Sequence, residues 1–321
     1  MPNLFLPEGM LIKSAENREY ISSPAGLQRA MNEGKILEAT VLLCDSDMRL
    51  HIDLYGIRGI IEKDEAMLCR EGESVKDIAV ITRVGKPVCF KVVGFDKDDR
   101  GRTVAILSRR EAQKQCFYEY LSELIEGDIV QARVTHLDSF GAFMDIGCGI
   151  PSLLTVDSIS VSRISHPSDR LSVGDTVYTV VKTIDRSNGR IFVSMRELLG
   201  TWLENASNFG VGQTVAGIVR SVETYGVFIE LAPNLAGLAE IREGTDDKSI
   251  AVVGEYVTVY IKNIIPDKMK IKLVLIDSYR GTLPDKSIRY YIDCESVGHI
   301  DRWRYSPLGA AKVVESVFDK K

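Results

Sequence analysis

Hydrophobic and polar positions along this chain fall mostly into short runs. Residues 130–134, 142–146, 177–184 and 190–195 are brief stretches rich in Val, Ile and Phe, bounded by Gly, Asp and Asn. Runs of this kind predict strands. Ile150-Pro-Ser-Leu-Leu154 supplies a further strand, and Ser187-Asn-Gly189 between the last two runs is a hairpin turn. Helical patterning is sparse. Residues 24–31 read as a short helix with Ser23 as N-cap and Gly34 as its stop. Residues 111–124 and 197–209 read as helical connectors, with Trp202 at a domain joint. Near the end, 288–292 and 299–305 read as two strands around a turn, and 310–318 as a final helix.

The strand pattern repeats. Gly127-Asp-Ile-Val-Gln-Ala-Arg-Val134 resembles Gly212-Gln-Thr-Val-Ala-Gly-Ile-Val219, and Phe140-Gly-Ala-Phe143 resembles Tyr225-Gly-Val-Phe228. Gly127 and Gly212, Phe140 and Tyr225, and Leu153 and Leu238 are each 85 residues apart. One offset across three motifs indicates duplication. A fainter copy lies upstream, with Gly34-Lys-Ile-Leu-Glu-Ala-Thr-Val41 aligned to 127–134 at an offset of 93. Five short strands per copy, without a long amphipathic helix, fit a small closed barrel of the OB type. The fold expected is mainly β: three tandem five-stranded OB-fold barrels joined by short helices, with a small α+β C-terminal extension. The domains expected are an N-terminal extension (1–33), a degenerate barrel (34–110), two further barrels (126–196 and 211–275), and the extension (281–321).

The order Gly-x-x-Val-x-x-x-Val, aromatic-Gly-x-Phe, Gly-Leu, Val-Gly-Asp-x-Val, Asp, Arg, Ser resembles the S-one RNA-binding domain of the bacterial ribosomal protein S-one family. The match is close for 126–196, good for 211–275 and faint for 34–110. The resemblance implies binding of single-stranded RNA, messenger RNA included, on barrel surfaces.

Composition limits how RNA is held. The chain carries 40 Lys and Arg against 45 Asp and Glu, a net charge of −5. That argues against coating nucleic acid by bulk charge. Residues 34–112 hold 14 basic and 14 acidic side chains, and 126–200 hold 7 and 9. Binding must then rely on placed rings and a few placed cations. No apolar run approaches about 18 residues, so no membrane span is expected. The first ten residues carry Glu8 and no Lys or Arg, unlike a secretory leader. Six scattered cysteines, none in a Cys-x-x-Cys pair, read as small buried hydrophobes in a cytoplasmic protein.

Phe140-Gly-Ala-Phe143 is the most informative tetrapeptide. On a regular strand, residues three apart face opposite sides, and Gly141 would permit a bulge that turns both rings one way. A bare Phe-x-x-Phe is more often core. Within the surrounding motif, at least one ring is expected at the surface as a stacking platform, which tolerates sequence because every base has a π-face. Tyr225 and Phe228 repeat the pair. The resemblance adds a His after Gly-Leu, an Asp before the last strand and an Arg on it. Asp185 and Arg190 match the last two, and Arg196 is a second Arg candidate; the alternative for each Arg is a solvated surface charge. Thr155 replaces the His. In the third copy Glu240 stands there, which repels phosphate, and Lys270 takes the Arg role. In the first copy Asp47-Met-Arg-Leu50 replaces the aromatic tetrapeptide and Glu62 the His, leaving no platform and a structural or protein-docking role. Tyr290, Tyr291, Arg302, Trp303 and Arg304 form either a small core with snorkelling Arg, the commoner outcome, or an extra nucleic-acid surface.

Catalytic signatures are missing from the sequence: no Gly-x-x-x-x-Gly-Lys, His-Glu-x-x-His or Gly-x-Ser-x-Gly. His51, His136, His166 and His299 lack metal spacing, and His136 reads as an ordinary surface residue. The expectation is a monomeric, non-catalytic binder of single-stranded RNA without cofactor or metal, associated with the small ribosomal subunit and not with membranes. The alternative is a protein-docking scaffold that contacts ribosome or polymerase components.

Overall fold

The computed structural model describes residues 5–70, 72–240, 251–279 and 288–318. Residues 241–250 of the third copy and 281–287 of the expected extension lie outside that set. Three closed five-stranded barrels are present. The first is built from β1 (Leu37–Cys44), β2 (Leu50–Leu54), β3 (Ile57–Ile61), β4 (Pro87–Lys97) and β5 (Thr103–Ser108), in the order β1-β2-β3-β5-β4. The second uses β6 (Ile129–Asp138), β7 (Gly141–Asp145), β8 (Pro151–Thr155), β9 (Thr176–Asp185) and β10 (Arg190–Ser194). The third uses β11 (Thr214–Val222), β12 (Gly226–Ala232), β13 (Leu235–Glu240), β14 (Tyr256–Ile265) and β15 (Lys270–Tyr279). Each barrel closes through one parallel pair: β3 with β5, β8 with β10, and β13 with β15.

Alternation along the strands fills each interior. Leu50, Ile52 and Leu54 point into the first barrel, Ala142 and Met144 into the second, and Val227 and Ile229 into the third, all 1% exposed or less. Each such Leu, Ile or Val stabilises the fold by roughly 1.5–3 kcal/mol. No helix of the described residues is long and apolar enough to cross a membrane.

The helices obey their end signals. The helix Pro24–Glu33 starts at Ser23, whose side chain accepts from the Gly26 N–H, and stops at Gly34 with φ +64°. The connector after β5 runs as an α-helix, Arg109–Cys116, and a π-turn, Phe117–Leu121. The continuous connector expected over 197–209 is broken. Gly200 at φ +82° ends the turn Arg196–Leu198, and Thr201 opens a new helix, Trp202–Ala206, with a capping box to Glu204. Trp202 is buried with Trp303 and Tyr305.

The C-terminal expectations need correction. Residues 288–292 form no strand. The Tyr290 hydroxyl accepts from the Tyr178 N–H, and the Tyr291 N–H bonds to the Leu198 carbonyl, so side contacts replace a ladder. Residues 310–318 are not a helix. β16 (Arg302–Arg304) pairs instead with β17 (Glu315–Val317), and buried Phe318 bonds back to the Asp301 carbonyl. Trp303 and Tyr305 are core residues, and Arg302 pairs with Glu315. The cluster is therefore a small core at Trp303, with Tyr290 and Tyr291 partly buried around it.

The chain divides into two compact units. The first takes in residues up to Leu124 together with Gln131–Arg133 and Asp145–Pro151; the second takes in the remainder. Buried charge holds the first. Glu8, 8% exposed, grips the Arg109 guanidinium through bonds of 2.6 and 3.0 Å and accepts from the Cys89 N–H at 3.0 Å. The Glu8 N–H donates to Asp145 at 2.7 Å, and Arg133 donates to the Glu8 carbonyl at 2.9 Å. Burial, then the charge of Glu8, pushes the Asp145 carboxyl up to about 7, against the backbone N–H groups that donate to it. Burial also opposes ionisation of Glu8, yet Arg109 holds its pKa below the ordinary value. In the second unit Glu230 binds both Arg170 and Arg220, the latter at 2.7 Å. Buried Asn234 there accepts from the Val161 N–H and donates to the carbonyls of Arg196 and Gly200.

Glu8→Ala leaves Arg109 charged and buried without its partner, so chemical denaturation should register a loss of about 3–5 kcal/mol. Asp145 adds a pH dependence of definite sign. Its pKa is raised in the folded state, so its contribution is complete below the ordinary Asp value near 4 and is lost as pH rises through about 7. Glu8 acts oppositely, losing its contribution as pH falls below the ordinary Glu value. Asp145→Asn should flatten the decline in unfolding free energy between about pH 4 and 7; parallel profiles for the two proteins would contradict this assignment.

Candidate nucleic-acid interface

The second barrel places two rings together outside its core. Phe143 lies on β7 between buried Ala142 and Met144, so its side chain faces outward and is half-buried. Phe140 precedes the strand, in the β6–β7 turn, and is 49% exposed. The ring centroids are 5.8 Å apart and the planes stand at 86°. Edge-to-face contact of this kind leaves aromatic faces open to a base.

Gly141 serves a different purpose from the bulge expected of it. A Cβ there would lie 2.5 Å from the Leu154 carbonyl oxygen, so the missing side chain lets β8 approach. Phe140 escapes strand alternation because it sits in the turn. In barrels one and three the irregularity falls on the first strand of the hairpin, between Val41 and Leu43 and between Val219 and Ser221.

The remaining candidates of the second copy spread along β9 and β10. Asp185 and Arg190 face each other across the hairpin. The Asp185 carboxylate accepts from the Ser187 and Asn188 backbone N–H groups and from both side chains. Those hydrogen bonds hold its pKa at about 2 and shape the turn. Arg190 is exposed. Arg196 lies beyond the other end of β10, with its guanidinium against buried Glu197 and Ser316. Thr155 donates to Ser158 at 2.9 Å.

The third barrel repeats the ring geometry. Tyr225 is 59% exposed, and its ring centroid lies 6.2 Å from that of Phe228 at 89°. Lys270 is exposed at the start of β15. Glu240 is paired with Lys272 at 3.1 Å, which offsets its repulsion of phosphate. Both side chains are about half exposed, so the pair adds little stability.

In barrel one the alignment must shift by one residue. Leu43 pairs with His51 as Ser221 pairs with Phe228, and Val41 pairs with Ile52 as Val219 pairs with Ile229. The first hairpin has gained a residue that the second has lost, so the constant offset hid the change. Met48-Arg-Leu-His51, not Asp47-Met-Arg-Leu50, occupies the place of the aromatic tetrapeptide; Leu50 is fully buried inside the barrel. His51 stands where Phe143 and Phe228 stand, but it is locked. Its Nδ1 accepts from the Arg58 Nε at 3.1 Å, which leaves Nε2 to donate to Asp45 at 2.7 Å. Burial works against ionisation of Asp45, yet bonds from His51 and Arg49 hold its carboxyl well below the usual range.

Two outward residues of barrel two escaped the motif search. The exposed His136 ring lies 5.9 Å from that of Phe143. Phe192 lies outward between Ile191 and Val193, which are 8% and 1% exposed. The alternation of Arg190-Ile-Phe-Val-Ser194 already marks Phe192 as an outer position.

The family model described as the S1 RNA binding domain matches residues 123–196. The "Small ribosomal subunit protein bS1" of Staphylococcus aureus (strain COL) is 30% identical over 294 residues, covering 87% of this chain and 70% of that protein. The bS1 protein of Staphylococcus epidermidis (strain ATCC 35984) matches with the same identity and coverage. A solved multidomain protein with nucleic acid binding domains from Streptococcus pneumoniae TIGR4 has 14% identity, covers 78% of this chain and 76% of that one, and has a TM-score of 0.23. With three OB-type barrels, two outward ring pairs and this extent of similarity to bS1 proteins, the chain belongs to the bS1 family of small ribosomal subunit proteins.

Proposed function

We propose that this chain is a non-catalytic RNA-binding protein that holds single-stranded RNA, messenger RNA in particular, during translation. The observation that carries this reading is the open edge-to-face pair Phe140–Phe143 on barrel two, inside the segment matched by the S1 RNA binding domain. Residues 126–196 act as the principal RNA-binding domain and 211–275 as a second, weaker one through Tyr225, Phe228 and Lys270. Arg190 meets a phosphate or a base face, with Asp185 shaping the turn that presents it. Arg196 contributes less, since its guanidinium is already engaged by Glu197. Residues 34–110 form a barrel outside the RNA path, because a locked His51 replaces the ring. Of the extension 281–321, the described residues 288–318 support the core instead of binding RNA. The names of its relatives support association with the small ribosomal subunit, and the protein acts there in the cytoplasm. The protein works as a monomer, and two weak sites on one chain gain avidity through effective concentration.

Phe140→Ala with Phe143→Ala should cost roughly 1–3 kcal/mol of binding for each base released, in a chain that still folds. Anisotropy with a labelled oligoribonucleotide measures the loss, and circular dichroism checks the fold. Affinity for RNA should fall only gently with rising salt, because few phosphates are neutralised. Unchanged affinity in the double variant would favour the scaffold.

A further inference from the structure

Register places four outward side chains in one row on each barrel. In barrel three the row is Ser221, Phe228, Leu238 and Lys272, each paired with the next across neighbouring strands. In barrel one it is Leu43, His51, Ile60 and Ile106. The offset of 85 gives His136, Phe143 and Leu153 for barrel two, and the contact of His136 with Phe143 agrees with it. The fourth place comes from the strand pairing itself, which sets Phe192 beside Leu153 as Lys272 stands beside Leu238. The last place differs in kind among the copies: Ile106, Phe192 and Lys272.

Phe192 is only partly buried and shares its outward side with exposed Arg190, two residues before it. It is rooted two strands away from Phe143, roughly 10 Å at the usual strand spacing. One base sandwiched between two rings needs about twice the 3.4 Å stacking distance. Leu153 fills the row between them. Phe143 and Phe192 are therefore too far apart at their roots to share a base, and each offers its own face.

We propose that Phe192 is a third stacking residue of barrel two, extending its single-stranded RNA site by at least one nucleotide beyond Phe140 and Phe143. The inference rests on the reading of that ring pair as an RNA site. At the same place barrel three carries Lys272, which is paired with Glu240, and no ring. Barrel two thus extends its grip through a base, without adding to salt dependence, where barrel three has no ring to offer.

The test uses the full chain and labelled oligouridylates, one short enough to cover only the Phe140–Phe143 pair and one long. Phe192→Ala should weaken the long oligomer about 5- to 150-fold, the equivalent of one stacked base, and leave the short one unchanged. The slope of log affinity against log salt should not move. Phe192→Tyr should restore binding, since it keeps the ring. Phe192→Lys should recover part of the affinity with a slope steeper by about one. If Phe140→Ala with Phe143→Ala removes binding while Phe192→Ala binds like the parent, the proposal is overturned and the RNA site stands. If neither variant changes binding, the RNA site itself is wrong. If Phe192→Tyr fails to rescue, or Phe192→Ala weakens both oligomers equally, Phe192 is structural and the proposal falls.

Discussion

Closing five short strands into a barrel is the constraint on which the rest of this structure depends. Once β3 meets β5, β8 meets β10 and β13 meets β15, every strand residue is committed to one side of its wall. Leu50, Ile52, Met144 and Ile229 fill interiors because their neighbours are forced outward. The outward positions then fall into register across four strands. That register gathers His136, Phe143, Leu153 and Phe192 from separate parts of the chain. The surface row is a consequence of closure and needs no local signal of its own.

The same geometry bears on the proposed reading, in which an acidic protein holds an anion. Much of its charge is consumed internally. Arg109 answers Glu8, Arg170 and Arg220 answer Glu230, and Asp45 is spent on His51 and Arg49. A buried pair of this kind is weak evidence for stability but costly to break, because the surviving charge is left unpaired. Little general field remains to draw RNA in. Rings on a rigid wall suit such a protein, since stacking asks for an exposed π-face and not for net positive charge. The copies diverge by exchanging these outer residues while keeping their interiors. His51 takes the place of a phenyl ring in barrel one and is tied down from both sides.

Much of this was legible beforehand because it is local. Alternating runs, Gly-bounded turns and a constant offset of 85 are properties of neighbours along the chain, and they gave three barrels, the helix Pro24–Glu33 with both its caps, and the two ring pairs. The misreadings were non-local. The one-residue slip in barrel one was invisible because the next hairpin cancelled it. The C-terminal helix over 310–318 gave way to a strand because Arg302–Arg304 offered an unpaired edge. The Gly141 bulge was the wrong device, since its real neighbour is the backbone of β8.

The sequence by itself determined the fold class, the number of barrels and which residue types were available for stacking. Period-2 alternation and turn chemistry are written residue by residue. Only the tertiary structure decided which of those residues share a face, which charges are already spent, and that Phe192 stands in line with Phe143. Those are distances between residues far apart in the chain, and closure of the barrels together with the packing of the segments around them sets them.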